Sequence, residues 1–242
     1  MTSELVTIEE LRETHRRWLA QLGILDVPWL IFGSAPRPTL PSDLIGYCAR
    51  VDVNNSGKTA NALGLPAADL TFRKRKKSWG EHPFVRTRGL LWLHRRPLWV
   101  MHLKLLLKPS VRYKSLMRAT KAEREAIVSH VTGGLPADVG DVGKVTNGVA
   151  ALCYGLFVGV PSVTLTGFSL TQMGHSYNDK GKERRQIAED TFVLNLLKER
   201  GDVFTTEPEL SEQIGLPFIR NKDELAVCMS RRPGSQLESA QM

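Results

Sequence analysis

The stretch from Val145 to Ser169 reads turn, helix, tight connection, buried strand, and that order leaves few folds open. Thr146, Asn147 and Gly148 make a helix start, because a Thr or Asn side-chain oxygen accepts from the unpaired amides of a first turn. Ala150, Ala151, Cys153, Tyr154, Phe157 and Val158 follow. They are mostly small and apolar, as in a helix that lies close against a sheet. Gly159, Val160 and Pro161 end it. Val163 to Thr166 then reads as a short buried strand, with Gly167, Phe168 and Ser169 as the loop at its carboxyl end. In an open α/β sheet, ligands bind outside the carboxyl ends of strands and at helix N-termini. This one unit therefore offers two walls of a site. The polar segment after it, beginning at Gly174, carries His175 and Tyr177.

Earlier segments fit the same plan. Thr7 to Glu10 has the pattern of a capping box, and Leu11, Trp18, Leu19 and Leu22 give the following helix an apolar face. Trp29 to Phe32 is a short, wholly apolar run, as expected of a central parallel strand. Gly33, Ser34 and Ala35 follow it, and Gly33 lets the backbone approach a ligand closely. A second strand runs from Arg50 and ends in Asn54 and Asn55, which would reach the same cleft. Asn-Asn-Ser-Gly is also good turn chemistry. No Gly-x-Gly-x-x-Gly follows the first strand, so a dinucleotide fingerprint is missing. Asp52-Val53-Asn54 is not Asp-x-Asp, so the paired carboxylates that hold a metal on a nucleotide diphosphate are not evident. Asp69 to Phe72 reads as a third strand, Tyr113 to His130 as a helix, Glu183 to Arg200 as another helix, and Gly201 to Thr206 as a further strand.

Two basic segments allow two readings each. Arg73 to Lys77 is the densest charge run, either a solvated loop or a contact for a polyanion or anionic lipid. Between residues 88 and 113, Trp92, Trp99 and many leucines alternate with Arg95, Arg96, Lys104 and Lys108. That pattern suits core strands with a short helix, or a basic aromatic surface resting on a membrane.

Net charge is +8 over 242 residues, which points to an acidic partner. An apolar fraction of 42% suffices for a sizeable core. Cys48, Cys153 and Cys228 are scattered in apolar surroundings without ligand spacing, and read as core thiols. The first residues lack the basic and apolar regions of a signal peptide, and no apolar run reaches the ~20 residues of a membrane span. The expected location is cytoplasmic, or peripheral on the inner face of a membrane.

The order strand-Gly-Ser-Ala-Pro, strand-Asn-Asn, Thr-Asn-Gly-helix-strand-Gly-Phe-Ser, His/Tyr segment, helix and Val-Phe-Thr-Thr resembles the bacterial sialyltransferase superfamily over roughly residues 28–218. The most specific part is Thr146 to Gly148 with Thr164 to Ser169. The resemblance implies a single Rossmann-like domain over 24–230, with a mostly parallel central sheet flanked by helices. It leaves an amphipathic helix in 1–23 and a disordered tail in 231–242. It also implies a CMP-activated sugar donor (sialic acid or the related Kdo), inversion at the anomeric carbon, no metal and no other cofactor. Gly33, Ser34, Ala35, Asn54, Asn55, Thr146, Asn147, Gly148, Gly167, Phe168 and Ser169 are the donor-binding candidates. The partners it implies are the CMP-sugar and an anionic glycan or glycolipid acceptor, with an anionic membrane surface beside them and no nucleic acid.

The chemistry suits these residues. A CMP donor carries one phosphate, which backbone amides at the Gly33 and Gly148 turns can bind without a cation. The acceptor hydroxyl needs a base, and a histidine has the right pKa near neutrality. His175 is the candidate base, and Tyr177 the candidate to donate to the departing phosphate or position the acceptor. The eukaryotic branch of the superfamily carries a further His, then a Glu, at the head of the next helix. Here Arg184 to Asp190 holds no histidine. Either His175 serves as base or the chain has lost it. A non-catalytic nucleotide or polyanion binder of the same fold, and an enzyme using another small cofactor such as a methyl donor, are the alternatives.

Overall fold

Trp29 to Phe32 is buried on both faces along its whole length, and the sheet grows outward from it. In this computed structural model, which describes residues 7–177 and 185–230, β1 (Trp29–Phe32) pairs with β2 (Ala49–Val53) on one side and β6 (Val163–Thr166) on the other. β3 (Ala68–Lys74), β4 (Arg86–Leu93) and β5 (Arg112–Ala119) continue beyond β2, and β7 (Val203–Thr205) lies beyond β6. The order is β5-β4-β3-β2-β1-β6-β7, and every pairing is parallel. The chain builds one flank from β1 to β5, then crosses back to place β6 on the other side of β1. The strand order therefore reverses between β1 and β6, which is where open α/β sheets form a crevice.

Helices cover both faces. α1 (Ile8–Gln21), α4 (Lys121–Thr132), α5 (Asn147–Val158) and α6 (Ile187–Leu197) share the larger core with Trp29, Ile31, Val51, Leu70 and Leu91. α2 (Ser56–Ala62) follows β2, and α7 (Pro208–Ile214) follows β7. On the other face, α3 (Leu98–Leu106) covers Leu90, Trp92 and Leu116, while α8 (Lys222–Ser230) covers Leu30 and Phe204. α1 is thus part of the same core as the sheet rather than an appendage.

α5 has its expected bounds for a physical reason at each end. The Thr146 hydroxyl accepts from the Val149 amide, and Gly159 closes the helix at a left-handed φ of 78°. Every residue from Gly148 to Val158 is buried. Gly155 lets α5 lie against the sheet, since a Cβ there would come within 3.0 Å of Val163 and 3.1 Å of the Trp29 ring. Tyr154 packs between Trp29 and Phe72, and its hydroxyl meets His15 Nδ1 at 2.9 Å, which ties α1 to α5.

Two sequence expectations change. Tyr113 to His130 is not one helix: 112–119 is an edge strand in register with β4, and α4 begins only after Thr120. Thr120 and Glu123 form a capping box that marks the true start. Strand pairing with β4 overrides the helix propensity of the first half. Of the helix expected over Glu183–Arg200, residues 183 and 184 lie outside the described residues, and the rest holds α6 over Ile187–Leu197 with a 3₁₀ turn to Arg200. Of the three cysteines, Cys48 and Cys153 are buried and Cys228 is half-buried. The tail from 231 lies outside the described residues.

His15 and His82 are both buried, and burial, the larger cause in each, pushes each pKa down to about 4. The unfolded chain protonates such side chains near the ordinary value of about 6.5. Their contribution to stability is therefore complete above about pH 6.5 and is lost as pH falls toward 4. Thermal unfolding followed across that window should show a steadily falling melting temperature, with a shallower fall in His15→Gln. A flat profile would contradict two buried neutral histidines.

Candidate functional site

A cleft of about 1000 Å³ opens at the carboxyl end of the sheet. The β1 loop, the β6 loop, the end of β2 and the start of α5 meet there. Gly33, Ser34, Asn54, Thr146, Asn147, Gly148, Gly167, Phe168, Ser169 and His175 all line it. These residues come from four separate stretches, and the reversal of strand order brings them together.

Phe168 holds this junction. A Cβ on Gly148 would lie 2.5 Å from the Phe168 ring, and one on Gly33 would collide with the Gly167 carbonyl and the same ring. Gly148 is thus required first by the Phe168 ring, and Gly33 first by the Gly167 carbonyl with the same ring beside it. Gly33 N donates to Thr166 O and Ala35 N to Gly167 O, so the two loops also share backbone hydrogen bonds. Ala35 is buried in that pairing and does not line the cleft.

Asn54 ends β2 at a φ of 57°, a left-handed conformation that Asn tolerates better than most residues. Its Oδ1 accepts from Lys74 N at 3.1 Å and from Asn147 Nδ2 at 3.0 Å, so the two asparagines expected to share a wall meet directly. Asn55 does not share it. Its side chain is buried, accepts from Arg73 and donates to Glu81. Asp52 faces the same interior, where Arg50 Nε reaches its Oδ1 at 3.0 Å.

The α5 N-terminus opens onto the cleft. Among the described residues, the backbone N–H groups of Asn147 and Gly148 have no acceptor. Orphan first-turn amides and the helix dipole both favour an anion. The turn before α5 is braced on three sides. Asp190 Oδ1 accepts from Thr146 N at 2.7 Å, Gln186 donates to the carbonyls of Lys144 and Val145, and Arg124 to those of Val145 and Thr146. Gln186 and Asp190, at the head of α6, thus hold this turn.

The surrounding charge is lopsided. Lys74, Arg75, Lys76, Lys77, Arg95, Lys121, Arg124, Lys144 and Arg185 line the cleft against two carboxylates, Glu125 and Asp190. Asp190 is engaged by Thr146, and Glu125 pairs with Arg124 at 2.7 Å. Lys74 has its pKa lowered, first by desolvation and then by Lys144, Arg124, Lys76 and Lys77. A bound anion would relieve that crowding. Sequence reading found the 73–77 run but not Lys121, Arg124 or Lys144, which lie apart in the chain. Arg73 itself is a correction: it is fully buried on β3, stacked 3.9 Å from the Trp79 ring and donating to Asn54 O and Asn55. Trp92 is likewise a core residue, while Trp99 is 70% exposed on α3.

His175 sits on the cleft wall with Nδ1 3.0 Å from the Ser34 hydroxyl. Its ring stacks on Tyr177 at 4.8 Å and 9°. Tyr177 is buried behind it and off the cleft wall, and its hydroxyl accepts from Lys77 Nζ at 2.9 Å. The structure thus places Tyr177 as a support beneath His175 rather than on the cleft surface. Ser176 N donates to Ser34 O, and Lys58 Nζ to Tyr177 O, fixing this segment to the β1 loop and α2. Ser169 lines the cleft, but its hydroxyl accepts from the amides of Thr171 and Gln172 and so shapes its own loop. Glu207 holds the β6 loop from below, accepting from Gly167 N at 2.6 Å and Thr39 N at 2.9 Å. Among the described residues, no group of three or more His, Cys, Asp or Glu could hold a metal ion.

If Phe168 and Gly148 are mutual constraints, Gly148→Ala should destabilise the protein by about 1–3 kcal/mol. Combining it with Phe168→Ala should cost less than the two changes added together. Chemical denaturation of the four proteins checks this, and strict additivity would show that the ring is free to move aside.

No family model and no curated protein matches the chain. Among solved structures it is similar to a Tyr-to-Phe variant of the sialyltransferase CST-II in complex with CMP, at a TM-score of 0.48 and 10% identity. It is similar also to CstII from Campylobacter jejuni in complex with the substrate analogue CMP-3FNeuAc, at 0.44 and 10%, and to monomeric CstII, at 0.45 and 12%. Each likeness covers 81% of this chain and 88% of the other. At these values it assigns no role to any residue here.

Proposed function

We propose that the chain is an inverting, metal-independent glycosyltransferase. On this reading it moves a sialic acid-like or Kdo-like sugar from a CMP donor to an anionic glycan or glycolipid acceptor. The observation that carries the proposal is the start of α5, where the amides of Asn147 and Gly148 open into a basic cleft at the strand-order reversal. A single phosphate fits two amides and a helix dipole. The lysines and arginines around it bring the positive charge that a divalent ion otherwise supplies to a leaving phosphate. The order of motifs that resembles the bacterial sialyltransferase superfamily supports the cytidine donor.

In this reading the donor phosphate rests on the α5 amides, with Asn54 and Asn147 beside it. The sugar extends toward His175. When Nδ1–H donates to Ser34, Nε2 is left as the basic nitrogen that takes the acceptor hydroxyl's proton. The hydroxyl oxygen attacks the anomeric carbon from the face opposite the phosphate, and the glycosidic electron pair leaves on CMP. Tyr177 stacks behind the imidazole and fixes its plane.

A thermal-shift comparison tests the donor. CMP should raise the melting temperature more than UMP, GMP or NAD, and EDTA should not reduce the effect. A cytidine-blind protein, or one that needs magnesium, would overturn the assignment.

Transfer assays test the base. His175→Ala should lower the rate by about 10²–10⁴-fold while the CMP shift survives, since the ring meets the acceptor rather than the nucleotide. Wild-type rates in that variant would place the base elsewhere. A CMP shift with no transfer from any CMP-sugar in the wild-type protein would favour a nucleotide or polyanion binder.

A further inference from the structure

α3 is apolar on two opposite sides. Met101 and Leu105 face the sheet and are buried. On the outward side, Trp99, Leu103, Leu106 and Leu107 are 70%, 56%, 74% and 77% exposed. Positions 99, 103 and 106 follow the i, i+4, i+7 spacing of a single helical stripe. A surface helix ordinarily turns polar residues outward, so a contiguous stripe of this kind marks a contact surface.

The charge around the stripe names the partner. From His82 to Ala122 the sequence has no Asp or Glu, and it carries Arg86, Arg88, Arg95, Arg96, Lys104, Lys108, Arg112, Lys114, Arg118 and Lys121. Arg95 and Arg96 immediately precede α3, while Lys104 and Lys108 flank its exposed face. Arg112 and Lys114 follow on the adjoining edge strand β5. A second copy of this chain seated on the same face would bring this wholly basic surface against itself, which like-charge repulsion opposes. An anionic bilayer answers both features. Leucines and a tryptophan enter the headgroup boundary while the surrounding cations meet lipid phosphates.

We infer that the outward face of α3 docks on an anionic membrane surface, with Trp99, Leu103, Leu106 and Leu107 inserted and the neighbouring arginines and lysines on the headgroups. The cleft then opens close to the bilayer. Arg95, on its wall, lies just before α3, and Lys104 is near enough to His94 on the same wall to lower its pKa, after desolvation. This geometry suits an acceptor carried by a lipid. It stands on α3 alone and does not need the cytidine donor to be correct.

Vesicle flotation tests it with the full chain. Wild-type protein should float with vesicles of phosphatidylcholine mixed with phosphatidylglycerol, and much less with phosphatidylcholine alone. High salt should weaken the binding. Leu103→Ser with Leu106→Ser, both exposed, should lower binding roughly tenfold or more, with an unchanged melting temperature. Lys104→Glu with Lys108→Glu should lower it on anionic vesicles only. Equal binding by the serine variant, or equal binding to both vesicle types, would overturn the inference. So would a wild-type dimer that the serine variant converts to a monomer in sedimentation. The CMP thermal shift in the serine variant is read separately. Its survival beside lost flotation separates the membrane contact from the nucleotide site, and its absence in every protein would count against the donor alone.

Discussion

The close approach of α5 to β1 and β6 is the contact on which the rest of the molecule depends. Gly155 leaves no side chain between the helix and the sheet, so Trp29 and Val163 pack directly on the helix backbone. Tyr154, one residue earlier, fills the space toward Phe72 and reaches His15 on α1. With the helix seated in this way, its first turn can stand only beside the ends of β1 and β2. The position of the unpaired first-turn amides therefore follows from apolar packing more than ten ångströms away, at ~1.5 Å of rise per residue. Phe168 repeats the device at the cleft, where two glycines accommodate one ring.

Acidic and basic side chains divide the work of the site. Glu189 accepts from the amides of Val142 and Gly143, Asp190 from Thr146, and Glu207 from Gly167 and Thr39. Each of these carboxylates is buried and spent on pinning a loop. The lysines and arginines remain to face the cleft. Loop amides that would otherwise be unsatisfied are paired beneath the surface, and the field above the cleft stays positive. Burial raises the Glu207 pKa against the pull of its two amide hydrogen bonds, as expected of a carboxylate held almost out of water.

Where sequence reading went astray, a partner distant in the chain explains it. Arg112 to Ala119 carries no strong strand signal, and it becomes a strand because β4 offers an edge in register. Arg73 belongs to a charge run that looks solvated. It is buried because β3 turns it inward, where Trp79 and the carbonyls of Asn54 and Ser78 receive its guanidinium. Asn55 follows Asn54 directly but points the opposite way into that same network. Trp92 and Trp99 share one sequence pattern, yet one lies inside a strand and the other on the outer face of a helix.

The sequence by itself determined what depends on neighbours in the chain. The Thr146 cap, the Gly159 stop, the apolar run of β1 and the loops beginning at Gly33 and Gly167 are local, and each was legible. So was the grouping of Asn54, Asn147 and His175 as candidates, through the order of motifs. Only the tertiary structure decided which of them share a surface, because that depends on strand order and on the direction each side chain takes. An all-parallel sheet places residues 34, 54, 147 and 175 at one end. The same topology gathers Lys74, Arg124 and Lys144 around them, though nothing in their spacing links them. Burial made the final division, since desolvation sends Asn55, Asp52 and Arg73 to internal partners and leaves the cleft to Asn54 and the lysines.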